Sequence, residues 1–150
     1  MSKIRTLTPP DMILIFVLLQ LVLHFLYPIG QIISYPLTLF GILFIIIGII
    51  PNLVGYFVLK KEKTSVKIYE IPNKLITSGF FGISRNPIYL GMTLILFGVA
   101  ILLGSVVTFI FPIIFIILTD IFVVRKEEEV LRKRFGIAYV EYCKKVRRWV

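Results

Sequence analysis

The sequence predicts an all-α integral membrane protein with about four transmembrane helices, the third and fourth forming a tight hairpin that continues into a cytoplasmic helical extension. Three observations carry this expectation. Of the 150 residues, 58% are hydrophobic, which is not the balance of a water-soluble globule. Four apolar stretches, near 12–27, 36–59, 88–104 and 105–124, approach the roughly 20 residues needed to cross hydrocarbon. The basic residues fall only in alternate connections. Lys3 and Arg5 precede the first stretch, and Lys60, Lys61, Lys63, Lys67, Lys74 and Arg85 lie between the second and third. Arg125, Lys126, Arg132, Lys133, Arg134, Lys144, Lys145, Arg147 and Arg148 follow the fourth, which completes the 17. The positive-inside rule then places both termini and the central connection in the cytoplasm, with the cell membrane as the expected location.

Taken in order, Thr8, Pro9, Pro10 and Asp11 form a helix-start signal, with Asp11 the expected cap of the first span. His24 falls in that span's last turn, far from the cytoplasmic connections, and reads as a packed or interfacial residue. The second span carries Gly41, Gly48 and Gly55 at intervals of seven, and the third repeats the interval at Gly91 and Gly98. Such spacing drifts only about 20° per step, so each series makes one groove, and the two spans are expected to pair closely. Pro51 and Asn52 predict a kink in the second span whose freed backbone groups need partners.

In the central connection, Lys60 to Lys67 is a solvated charge run. Between Tyr69 and Phe81, turn residues alternate with Ile71, Leu75, Ile76, Phe80 and Phe81, so this part is expected to fold back on the membrane surface or the helix ends. It leads into Ser84-Arg85-Asn86-Pro87-Ile88-Tyr89-Leu90-Gly91. A residue before Pro is disfavoured in helix, whereas Pro suits a first helical position, so Asn86 reads as the N-cap and Pro87 as the first residue of the third span. The unpaired N–H groups and positive dipole end there favour an anionic ligand group, and Arg85 adds a planar fork of donors. An ordinary helix start with a snorkelling arginine is the plainer alternative.

Gly104 and Ser105 join the third and fourth spans with almost no loop. If the fourth helix continues regularly, Asp120, Glu127 and Leu131 share a face, with Glu128 about 80 to 100° round. Phe135, Gly136, Tyr139 and Tyr142 follow: a glycine stop, then two tyrosines on one helical face. The net charge of +9 follows from topology, with anionic lipid headgroups as expected partners and no nucleic acid. The single cysteine, Cys143, offers neither a disulfide framework nor a Cys-based metal site, so no metal is expected. The first apolar run lacks a small-residue cleavage site after it and reads as a retained span.

Two separated segments match one pattern. The chain resembles the superfamily of isoprenylcysteine carboxyl methyltransferases and phospholipid methyltransferases, in its prokaryotic-type membrane form. The first segment is Arg85-Asn86-Pro87-Ile88-Tyr89-Leu90-Gly91, against the family's Arg-His/Asn-Pro-x-Tyr-x-Gly. The second is Glu127, Glu128, Leu131, Phe135, Gly136, Tyr139 and Tyr142, spaced as in the string that follows the family's hairpin. Pro72, Leu75, Thr77 and Gly79 also look like the family's approach to the turn, and residues 64–148 carry the likeness within a single domain of 1–150.

The resemblance implies S-adenosylmethionine-dependent methyl transfer to a lipophilic or small acceptor, a carboxylate, thiol or amine, reaching the site from the bilayer. It implies that Arg85, Asn86, Pro87, Tyr89, Leu90 and Gly91 line one wall of a cofactor site and Glu127 and Glu128 the other, with Tyr139 and Tyr142 over the adenine. Arg85 and Glu128 are then the candidate catalytic residues, Glu128 or Asp120 taking a proton if the acceptor is an amine. Two other readings stand beside this one: a nicotinamide-dependent sterol-type membrane reductase, which shares a similar turn, and a small non-enzymatic accessory protein. The oligomeric state and the identity of the acceptor are not encoded in any recognisable motif.

Overall fold

The computed structural model describes residues 8–27, 30–62 and 72–150. Lys3, Arg5, Lys63, Lys67, Tyr69 and Ile71, to which the sequence reading gave roles, lie outside them. The described residues form six α-helices: α1 (Pro9–Leu26), α2 (Phe40–Lys61), α3 (Pro87–Leu103), α4 (Ile110–Thr119), α5 (Arg125–Phe135) and α6 (Ile137–Lys145). A π-helical turn, Asp120–Val124, joins α4 to α5, so Val106–Phe135 runs as one helical rod of 30 residues. That rod, α1 and the Leu37–Lys61 segment are long and apolar enough to cross a membrane, and α3 is a shorter apolar helix of 17 residues. The protein is an all-α membrane protein.

The helix starts follow local chemistry. Thr8, not Asp11, is the N-cap of α1, and the Asp11 carboxylate accepts from the Thr8 N–H (3.1 Å) and hydroxyl (2.6 Å). The cap therefore works from inside the first turn, where a carboxylate also meets the positive end of the helix dipole. Asn86 occupies the N-cap position of α3 and Pro87 opens the helix, as the residue pair predicts.

The glycine series mesh. α3 packs most extensively on α2. A Cβ placed on Gly48 would stand 2.5 Å from the Gly91 carbonyl oxygen, and one on Gly98 would stand 2.6 Å from that of Gly41. Only glycine permits backbones this close. α2 stays helical through Pro51, and the Asn52 side chain donates to the Gly48 carbonyl at 2.7 Å, one residue on from the Ile47 carbonyl whose ladder donor the proline removes. The other side of α2 exposes Ile42, Leu43, Ile46, Ile50, Leu53 and Phe57, which suits a lipid-facing surface.

α1 and α4 close on the opposite face of α3. Met12, Met92, Leu96 and Phe115 form the apolar centre, with Phe16 meeting Phe111 and Phe115 edge-on at 5.9 Å. Buried Gln20 ties α1 to the hairpin by donating to the carbonyls of Leu96 and Thr108, both at 3.0 Å. Gly104 turns the hairpin in the left-handed conformation (φ +72°). His24 Nδ1 lies 2.6 Å from Ser105 Oγ, so this histidine serves the turn and not the opposite end of the bundle.

Candidate functional site

The site builds up where the start of α3, the π-helical turn, α5 and the chain's last residues meet. Asn86 is well suited to cap α3, yet its side chain makes no cap bond. Its Nδ2 donates instead to the carbonyl oxygen of Arg148 at 3.0 Å, and the Ser84 hydroxyl donates to the same oxygen at 3.2 Å. The Arg85 N–H donates to the carbonyl of Arg147, also at 3.0 Å. Three consecutive residues of the octet therefore hold the C-terminal segment against the head of α3.

That segment returns a side chain to the site. Arg148 donates through Nε (3.1 Å) and Nη2 (2.7 Å) to the two oxygens of Glu128, and through Nη1 (3.1 Å) to Asp120. Arg85 Nη2 lies 3.0 Å from Glu128 Oε1, with both side chains only 13% exposed. Glu128 thus sits between two guanidiniums, and Asp120 between Arg148 and Arg125. Burial makes such pairs sensitive to the loss of either partner.

The π-helical turn explains which carboxylates meet. A regular helix would place Glu127 on the face of Asp120. The wide turn absorbs one residue, which brings Glu128 to within about 20° of Asp120 and swings Glu127 about 120° away. The expectation that Asp120 and Glu127 share a face is corrected accordingly. Glu127 turns to α3, where the Tyr89 hydroxyl donates to it at 2.7 Å, and it has no cationic partner among the described residues.

Glu128 and Asp120 have their oxygens occupied by guanidinium donors, which fixes both carboxylates in place. Gly91 faces α2, packed against Gly48 and Asn52, and so contributes to helix pairing. Pro87 is buried at the head of α3, while Tyr89 and Leu90 are half-buried.

The tyrosines divide as well. The Tyr142 hydroxyl donates to the Phe81 carbonyl at 2.5 Å, which pins the connection before the octet onto α6. Tyr139 is 1% exposed, and its hydroxyl makes no well-formed hydrogen bond among the described residues, with the Cys143 thiol the polar group beside it. Burial first, and then the charge of nearby Glu128, push the Tyr139 phenol above its ordinary range. Tyr139, Tyr142 and Val146 pack with Leu75, Leu131, Phe135 and Cys143 in an apolar cluster beneath the arginines.

A second buried group is unsatisfied. Arg85 gives Glu128 one nitrogen, and its Nε–H has no partner among the described residues. Buried donors without partners are rare, and each points to strain or to a missing ligand. The unpaired Arg85 guanidinium N–H suits a carboxylate, and Glu127, on another face of the same region, suits a cationic or hydroxyl group. Arg148 was missed in the sequence because it ends a basic run that membrane topology already explained. A family model described as phospholipid methyltransferase matches residues 37–138, more than half of the chain. No curated protein matches it.

Proposed function

We infer the activity from one premise, that the chain belongs to the phospholipid methyltransferase family: it transfers a methyl group from S-adenosylmethionine to a lipophilic or small acceptor at the cytoplasmic membrane face. The family is one of membrane methyltransferases, and the dependence on this cofactor, the acceptor and the face are our reading. The observation that carries it is the buried Arg85 Nε–H left without a partner at the head of α3. A guanidinium donor beside a helix N-terminus suits the carboxylate of the cofactor's amino-acid end. Glu127, with one hydrogen bond from Tyr89 and no cationic partner among the described residues, suits its ammonium or ribose hydroxyls.

The cofactor supplies an electrophilic methyl on a sulfonium. The chain's part is binding, orientation and exclusion of water, which for displacement at a methyl are the main sources of acceleration. A carboxylate or thiolate acceptor needs no base. For an amine acceptor, Glu127 is the carboxylate with spare acceptor capacity. A lipophilic acceptor enters from the bilayer alongside the exposed apolar faces, and the exposed Arg132, Lys133 and Arg134 of α5 face anionic headgroups.

The test compares S-adenosylhomocysteine and NADPH as ligands of the purified protein in detergent, by calorimetry and thermal shift. S-adenosylhomocysteine is expected to bind and to raise the unfolding midpoint. Binding of NADPH alone would identify a reductase, and binding of neither would favour the accessory protein. Host membrane extract incubated with methyl-labelled cofactor then reveals the acceptor by mass spectrometry.

A further inference from the structure

We propose that Arg148 is a positioning residue: it takes the bidentate face of Glu128 so that Arg85, held to the same carboxylate by one nitrogen, keeps its remaining donors for the ligand. The inference rests on the reading above and adds to the site a residue from the end of the chain. Its basis is the way two guanidiniums share one carboxylate. A carboxylate and an arginine left to themselves form the two-bond fork, because parallel N–H donors match its two oxygens. Here the fork belongs to Arg148, which uses Nε and Nη2, while Arg85 reaches Glu128 Oε1 through Nη2 alone.

The arrangement is fixed at both ends of Arg148. Its third nitrogen is held by Asp120, which the π-helical turn brings onto the face of Glu128. Its carbonyl is held by Ser84 and Asn86, the residues on either side of Arg85. Arg148 therefore links the α3 head to α5 through main chain and side chain at once. Without it, nothing among the described contacts would keep Arg85 from closing its own fork on Glu128. The Nε–H that is now unpaired would then be consumed inside the protein.

The experiment uses the full chain in detergent, with Arg148→Ala, Arg148→Lys and, as a control, Lys145→Ala at an exposed residue of the same basic run. S-adenosylhomocysteine affinity is read by calorimetry, the unfolding midpoint by thermal shift, and backbone protection over residues 84–90 by hydrogen exchange. Arg148→Ala is expected to weaken binding about 30-fold, the scale of a lost hydrogen-bonded charge contact. Arg148→Lys restores a positive charge without a planar fork. It should recover the midpoint while affinity stays about tenfold down, a split that a merely structural role does not produce. Lys145→Ala should bind within about twofold of the parent.

Equal affinity in the parent and Arg148→Ala would overturn the inference, as would full rescue of affinity by lysine. If the parent itself does not bind S-adenosylhomocysteine, the functional reading fails separately. The ligand-free hydrogen-exchange comparison still decides this one: exchange at the Arg85 amide must rise in Arg148→Ala, and unchanged protection would refute the anchoring on which the inference depends.

Discussion

Asp120 and Glu128 are held by one guanidinium, that of Arg148, although a regular helix would set them about 80° apart. The π-helical turn between them removes that offset, and it does so where the helix leaves its apolar stretch. Wide turns of this kind arise from single-residue insertions and recur at functional sites. Inserting one alanine after exposed Ile121, with the wide turn kept, should therefore swing Glu128 about 100° off the face of Asp120 and bring Glu127 onto it. Helix content measured by circular dichroism should stay the same while S-adenosylhomocysteine binding falls by at least about tenfold. Undiminished binding would show that the register of the carboxylates is not what the site needs.

The Tyr89–Glu127 hydrogen bond joins α3 to α5 independently of the arginines. Tyr89→Phe leaves the carboxylate without its donor, and Glu127→Gln keeps the shape but weakens the bond. Each change should lower thermal stability by about 1.5 to 3 kcal/mol, the range for hydrogen bonds to charged groups. Because both remove the same contact, the double variant should lose less than the sum, with a coupling of about 1 kcal/mol. Strict additivity of the two midpoint shifts would mean that the pair does not interact in solution.

Gly48 and Gly98 leave no room for a side chain, since the atoms a Cβ would meet are backbone carbonyl oxygens that cannot rotate away. Gly48→Ala and Gly98→Ala should each force α2 from α3 and destabilise the protein by about 2 kcal/mol, typical of overpacking. Gly79→Ala is the informative contrast, because no atom lies near its Cβ and only its positive φ (+62°) opposes the change. Unfolding midpoints in one detergent rank the three. A ranking that puts Gly79→Ala lowest would argue against the close helix contact.

Much of this architecture is legible in the residues, for reasons that differ from element to element. Asn86-Pro87 announces a helix start because proline restricts both its own φ and the residue before it. The glycine series announce close packing because seven residues return nearly to the same face. The π-helical turn is invisible, since Asp120–Val124 contains no residue type that marks a slipped hydrogen-bond ladder. That slip is why the face containing Asp120 was read as carrying Glu127 and not Glu128. Arg148 was hidden by its surroundings: among Lys144, Lys145 and Arg147 it looks like one more topogenic charge. Only its contacts across 20 and 28 residues of sequence separate it from them. The Tyr142 hydroxyl holds the Phe81 carbonyl, a main-chain partner that no spacing rule reveals.

The Tyr142 contact also sets an alkaline limit. Burial raises its phenol to about 12 from an ordinary value of 10, against the opposing pull of the Arg85 charge. Below pH 10 the hydroxyl is protonated in both folded and unfolded chains and its hydrogen bond to Phe81 is intact. Between pH 10 and about 12 the unfolded chain releases this proton while the folded chain retains it, so stability falls as pH rises through that window. The connection before the octet should loosen first, because Tyr142 is its tie to α6. Hydrogen exchange over residues 75–84 should therefore rise between pH 10 and 12 in the parent. Tyr142→Phe should show faster exchange already at neutral pH, a stability lower by about 1 kcal/mol, and less further change in the alkaline range. If parent and variant trace the same alkaline profile, the titrating group that governs this end of the protein is not Tyr142.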